Sequence, residues 1–138
     1  MIINRTVLGE PKAQARHRHF QRGKFSQTYD PSSTLKESFA AILQREAPEL
    51  PIDEPIALEL NFYMHRPKNH YRTGAKSGIL KDNAPEWHKS KPDIDNLCKF
   101  VQDALNKIYY RDDSLICQLV SKKQYSEKPR TEISIITL

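Results

Sequence analysis

Cysteine is scarce in this chain: Cys98 and Cys117 are the only two, and both fall inside apolar patterns. That argues against a disulfide framework or a cysteine-rich zinc site, and both thiols are expected as reduced core residues. Long apolar runs are missing as well. None approaches the roughly 18–20 residues that cross a bilayer, and the N-terminus lacks the basic, apolar and small-residue succession of a signal peptide. The expectation is a soluble, cytoplasmic chain with no membrane partner. Internal repeats and linker-like stretches are absent too. The 138 residues therefore read as one domain spanning 1–138, long enough to bury a single core.

Positive charge, by contrast, is in excess. The net charge of +5 favours acidic partners, nucleic acid first among them. It is also segregated: residues 1–30 carry +4, 31–62 carry −4, 63–92 carry +5, and 93–138 balance. Segregation of this kind points to a basic surface, against the plainer alternative of a solvated lysine-rich loop.

Residues 2–8 are β-branched and end at Gly9-Glu10-Pro11, the pattern of a strand closed by a turn. Residues 12–29 are polar, basic and aromatic without a period, which suggests a loop or irregular hairpin. A helix follows, started either by Asp30 as cap with Pro31 behind it or by a Thr34/Glu37 capping box. Leu35, Phe39, Ile42 and Leu43 form its apolar face, and Pro48 and Pro51 prevent a long continuation. Ile56, Leu58, Leu60, Phe62 and Met64 alternate as in a strand with one buried face. Pattern is then lost over 65–90, a long basic stretch expected to be a mobile, DNA-facing loop. Leu97, Val101, Ala104, Leu105 and Ile108 mark a second amphipathic helix. Leu115, Cys117 and Leu119 begin a strand that reaches Tyr125, and 131–138 form the last. This order predicts an α+β (mixed α/β) fold, a mixed sheet of about four strands packed by two main helices.

Acidic groups concentrate in an otherwise basic region at Lys91-Pro92-Asp93-Ile94-Asp95-Asn96-Leu97-Cys98-Lys99 and again at Arg111-Asp112-Asp113-Ser114. The D-x-D spacing puts two carboxylates on one side if the helix entrance is still extended, and well apart if it is already helical. If the strand after Asp113 runs back beside the helix, Asp93, Asp95 and one of Asp112 and Asp113 can form an oxygen-rich site suited to Mg²⁺ or Mn²⁺. Lys99, four residues after Asp95, would share its helix face and steady a phosphate or an attacking water, or simply pair with Asp95. Acidic helix starts and Asp-Asp turns also occur for purely structural reasons.

The ordered set Lys-Pro-Asp-x-Asp-Asn-x-x-Lys, then Gln102-Asp103-Ala104-Leu105-Asn106, then Asp112-Asp113-Ser114 closely resembles the RusA family of Holliday-junction resolvases. Gly9-Glu10-Pro11 with Arg16 and Arg18, and Thr28-Tyr29-Asp30-Pro31, extend the resemblance over most of the chain. It implies that Asp93, Asp95 and Asp113 bind metal and act in catalysis, and that Lys99 is the catalytic lysine. Asp112 is an additional acidic candidate, and Asp103 a further one. Also implied is a homodimer whose paired sites cut opposing strands of a four-way DNA junction by metal-dependent hydrolysis, with no organic cofactor.

Two basic stretches are candidates for DNA phosphates: Arg16, Arg18, Arg22 and Lys24, and Lys76, Lys81, Lys89 and Lys91. His17, His19, His65, His70 and His88 lack a zinc spacing. Phe20, Phe25, Tyr71 and Trp87 either stack on exposed bases or anchor their loops. The rival readings are a non-catalytic branched-DNA-binding module and a nuclease acting mainly on flaps or forks.

Overall fold

The computed structural model describes every residue except His17, and for Arg18, Phe20, Arg22 and Phe25 the backbone alone. Among the described residues six strands and two α-helices follow in the order β1 (Ile2–Leu8), β2 (Arg18–Arg22), β3 (Phe25–Tyr29), α1 (Ser33–Gln44), β4 (Ile56–His65), α2 (Ile94–Leu105), β5 (Ile116–Ser126) and β6 (Arg130–Thr137). Four strands form one mixed sheet in the order β1-β6-β4-β5. The β1/β6 and β6/β4 pairs are antiparallel and β4/β5 is parallel. This is the expected small mixed α+β architecture. Of the two readings open for residues 12–29, the hairpin holds, with β2 and β3 paired antiparallel. No helix among the described residues is long and apolar enough to cross a membrane.

Burial explains why β4 was so legible. Ile56, Leu58, Leu60, Phe62 and Met64 are at most 2% exposed, and Glu59 between them faces solvent. Side chains alternate across a strand, so these five line one face of the sheet. The two helices cover that face. Leu97, Phe100, Val101, Ala104 and Leu105 of α2 join it with Phe39 and Leu43 of α1 in one apolar cluster. Phe39 and Phe100 meet edge to face, 5.5 Å apart. Buried Tyr109 donates its hydroxyl to the Leu43 carbonyl at 2.7 Å, so its polar end is satisfied within the core.

Several expectations need correction. Neither proposed cap starts α1. Ser32 is the N-cap residue and makes no side-chain cap bond; Asp30 instead accepts the Ser32 backbone N–H at 2.8 Å, closing a turn before the helix. Leu35 and Ile42 are about half exposed, so the buried face of α1 is narrower than its apolar spacing suggested. Cys98 is buried, but Cys117 is exposed. The β4/β5 register slips at Ile56/Ala57, where Ile116 pairs with Ile56 and Gln118 with Ala57, leaving Cys117 as the extra residue of a bulge. Leu119 lies opposite Leu58 but on an edge strand, and remains 45% exposed.

The 65–90 segment has no long regular element, as expected, and its backbone is folded on itself. Short 3₁₀ turns occupy Lys68–His70 and Gly74–Lys76. Backbone bonds from Arg72 to Ile79 (2.8 Å) and from Lys81 to His70 (2.9 Å) close the segment on itself. Its far end is tied to β5, where Tyr125 N–H donates to the Glu86 carbonyl at 2.9 Å and His88 N–H to the Lys123 carbonyl at 3.2 Å.

Candidate active site along the second helix

Parallel neighbours in a sheet require a return path, and α2 supplies it between β4 and β5. It therefore runs back along β5, with its first turn beside the end of that strand. Lys123 of β5 marks the junction: its ammonium donates to the Ser90 carbonyl at 2.6 Å and to the Pro92 carbonyl at 2.7 Å. These charge-assisted bonds fix the backbone immediately before Asp93. The strand after Asp113 thus runs back beside α2, as anticipated, and what it brings to the helix start is Lys123, a residue that sequence reasoning missed. No local motif connects positions 31 residues apart.

Asp93 is the N-cap residue of α2, with extended backbone (φ −71°, ψ 145°), and its exposed carboxylate makes no cap hydrogen bond. Asp95 already lies in the first helical turn, where Oδ1 accepts the Asn96 N–H at 3.0 Å. The entrance is thus extended at the first carboxylate and helical at the second. Lys99 lies one turn further on. Its ammonium pairs with Asp103 at 2.7 Å, and no Asp95–Lys99 ion pair is formed among the described residues.

Asp103 is shared. Lys36 of α1 reaches it at 3.1 Å and also pairs with Asp30, giving a chain Asp30–Lys36–Asp103–Lys99 that ties α1 to the polar face of α2. Burial opposes the charge on Asp30, but hydrogen bonds from Lys36, Ser32 and Gln14 outweigh it and bring its pKa from 3.8 to about 2. Lys36 shows the complementary shift: burial works against its charge, and the two carboxylates raise its pKa.

The Asp112/Asp113 pair divides its tasks. Asp112 caps the 3₁₀ turn Asp113–Leu115 through a 3.0 Å bond from Ser114 N–H, and Ser114 holds its pKa low. Asp113 is partly buried; its Oδ1 has no hydrogen-bond partner among the described residues, while the Tyr110 hydroxyl beside the carboxylate favours its charged form. Burial raises its pKa, the Asp103 charge adds to the rise, and Lys99 opposes it. The same carboxylates, after burial, raise the pKa of Tyr110, whose hydroxyl donates to the Gln102 carbonyl at 2.8 Å.

Asp93, Asp95, Lys99 and Asp113 are therefore distributed along one helix and the turn that follows it. Among the described residues no three His, Cys, Asp or Glu side chains stand close enough to share a metal ion. The buried, unpartnered Asp113 Oδ1 is the feature that fits a cation. An all-oxygen donor set suits Mg²⁺ or Mn²⁺ rather than zinc.

The basic candidates fall into different places. Lys89 and Lys91 line a cleft of about 530 Å³ together with Asp93, Trp87 and Lys122. Lys76 and Lys81 are exposed elsewhere on the 65–90 segment and do not line it. Arg16 follows a stretch docked at the start of α2, where Gln14 N–H donates to the Asn96 carbonyl at 2.9 Å. Lys24 is exposed in the β2–β3 turn, whereas the side chains of Arg18 and Arg22, like those of Phe20 and Phe25 and the whole of His17, lie outside the described residues. His70 and His88 both pack edge-on against Tyr125. Burial and the Lys123 charge lower the pKa of His88.

A mixed α+β domain with carboxylates and a lysine along one helix, beside a lysine-lined cleft, has the composition of a phosphodiester-processing site. The model of the family described as Endodeoxyribonuclease RusA matches residues 9–136, and the chain belongs to that family. It is 35% identical over 140 residues to the uncharacterized protein YqaN of Bacillus subtilis (strain 168), covering 96% of this chain and 94% of the relative. It is also 35% identical over 118 residues to the crossover junction endodeoxyribonuclease rusA of Lactococcus phage r1t, covering 83% and 79%.

Proposed function

We propose that this chain is a divalent-metal-dependent endodeoxyribonuclease that resolves four-way DNA junctions, acting as a homodimer of single-domain subunits whose two sites cut opposing strands. Family membership carries the nuclease assignment. The observation that supports a metal site is the buried Asp113 Oδ1 without a partner among the described residues, in the turn that follows the helix begun by Asp93 and bearing Asp95 and Lys99. By the family resemblance Asp93, Asp95 and Asp113 would hold Mg²⁺ or Mn²⁺, although the three do not stand together as a ready cluster here; the ion when bound would neutralise phosphate charge and activate water. Asp112 is committed to its turn and orients Asp113 through the backbone. Lys99 is half exposed, so its ammonium can exchange Asp103 for a DNA phosphate and stabilise the charge that develops there. Exposed Arg16, Lys24, Lys76, Lys81, Lys89 and Lys91 hold the DNA backbone without reading sequence; Arg18 and Arg22 belong to the same proposal by position.

The test is cleavage of a labelled synthetic four-way junction, compared with a flap, a fork and a linear duplex, with Mg²⁺ or with EDTA. Paired symmetrical nicks in the junction, requiring Mg²⁺, are expected. Preferential cleavage of flaps or forks would move the substrate assignment, and junction binding without cleavage in Mg²⁺ or Mn²⁺ would leave a binding module.

A further inference from the structure

Residues 86–91 form the last part of the basic segment and lead directly into Asp93. Their backbone is held against β5 by the Tyr125–Glu86 and His88–Lys123 bonds on either side of Trp87. Trp87 itself pairs with Gln124 in an isolated antiparallel bridge. The indole is nevertheless 55% exposed and lines the cleft that also contains Asp93. A tryptophan fixed by its backbone but left open by its ring pays little additional entropy when a planar ligand covers it.

In the rest of the cleft lysines outnumber the one carboxylate, Asp93. Lys89, Lys91 and Lys122 line it, and among the described residues none of their ammonium groups takes part in a hydrogen bond or ion pair. Lys123, by contrast, is already engaged by two carbonyls. The volume of about 530 Å³ lies in the range of small-ligand sites. An apolar ring face beside three free cations matches one chemistry: a nucleobase with its own phosphates.

We propose that the Trp87 cleft is a subsite for a single unstacked nucleotide of DNA, its base against the indole and its flanking phosphates on Lys89, Lys91 and Lys122. The inference rests on the nuclease reading and refines it. Bases inside a linear duplex are covered by their neighbours, whereas a branch point can release one. Stacking on Trp87 therefore favours branched over linear DNA beside the metal-binding carboxylates, without recognition of base identity.

Trp87 is the sole tryptophan, so fluorescence excited selectively at tryptophan, beyond the tyrosine absorption, reports on this subsite alone. The full-length protein is titrated in EDTA with a four-way junction, an oligo-dT single strand, a blunt duplex and inorganic polyphosphate, with binding followed independently by anisotropy or competition. Saturable quenching by the junction and the single strand, but not by polyphosphate, is expected. Trp87→Ala should weaken junction binding roughly 5- to 100-fold, and Trp87→Phe should restore most of the loss. Full junction binding with unchanged fluorescence, or an alanine variant that binds as tightly as wild type, overturns the subsite. Quenching without cleavage in Mg²⁺ or Mn²⁺ would retain the subsite and overturn the nuclease reading; cleavage without quenching would do the reverse.

Discussion

Replacing Asp30 with Asn isolates the charge that links α1 to the face of α2. Asn is nearly isosteric and can still accept the backbone N–H of Ser32, so the change removes charge with little change of shape. The carboxylate is held at about 2, against 3.8 for a free group, and at 1.36 kcal/mol per pH unit this gives a ceiling of about 2.5 kcal/mol. Its side chain is 16% exposed, so solvent screening reduces the expected contribution to about 1–2 kcal/mol. A carboxylate with a lowered folded-state pKa stabilises above its unfolded pKa and loses that contribution as pH falls through the folded value. Urea unfolding of wild type and Asp30→Asn should therefore differ by about 1–2 kcal/mol from pH 7 to pH 5. The gap should narrow below about pH 4 and approach zero near pH 2. A stability difference of the same size at every pH would show that the effect comes from packing or hydrogen bonding, and would refute the ion-pair argument.

Removing the Lys123 ammonium as Lys123→Met should free the Ser90 and Pro92 carbonyls. Cleavage should fall by roughly tenfold or more with a shifted Mg²⁺ dependence, while urea unfolding shows a loss of no more than about 3 kcal/mol; an unchanged Mg²⁺ profile would deny a positioning role. Thiol alkylation of the native protein should label Cys117 rapidly and Cys98 only after unfolding, because the first is exposed and the second buried; peptide mass mapping gives the answer. Junction affinity should fall linearly on a log–log plot against salt, and Lys89→Ala should lower the slope by about one. An unchanged slope would remove Lys89 from the phosphate contacts.

Legibility from sequence followed the strength of the local signal. The β4 alternation and the apolar stripe of α2 were plain because each element buries a full face, and both stand as read apart from Ile108, which falls just beyond α2. Cys117 was misplaced because a bulge changes pairing without an obvious sequence mark. Leu35 and Ile42 have helical spacing, but spacing alone does not say how wide a stripe the sheet covers. In the candidate site, residue types and order were readable while partners were not. Lys99 was expected beside Asp95 and pairs with Asp103, since i−4 and i+4 neighbours on a helix are equivalent until the surroundings choose between them. Here Asp113, brought in from another part of the chain, adds negative charge beside Lys99 and Asp103, and Asp103 holds Lys36 and Lys99 together.

The central claim is that Asp93, Asp95 and Asp113 together hold the metal that cleaves DNA. The most direct measurement compares wild type with Asp93→Asn, Asp95→Asn and Asp113→Asn on a labelled four-way junction in Mg²⁺, with junction binding measured in parallel in EDTA. The account predicts that each substitution abolishes the paired nicks and leaves the affinity in EDTA equal or higher, since each removes a negative charge facing DNA. A variant that folds, binds the junction and still cuts at the wild-type rate would contradict the site as assigned.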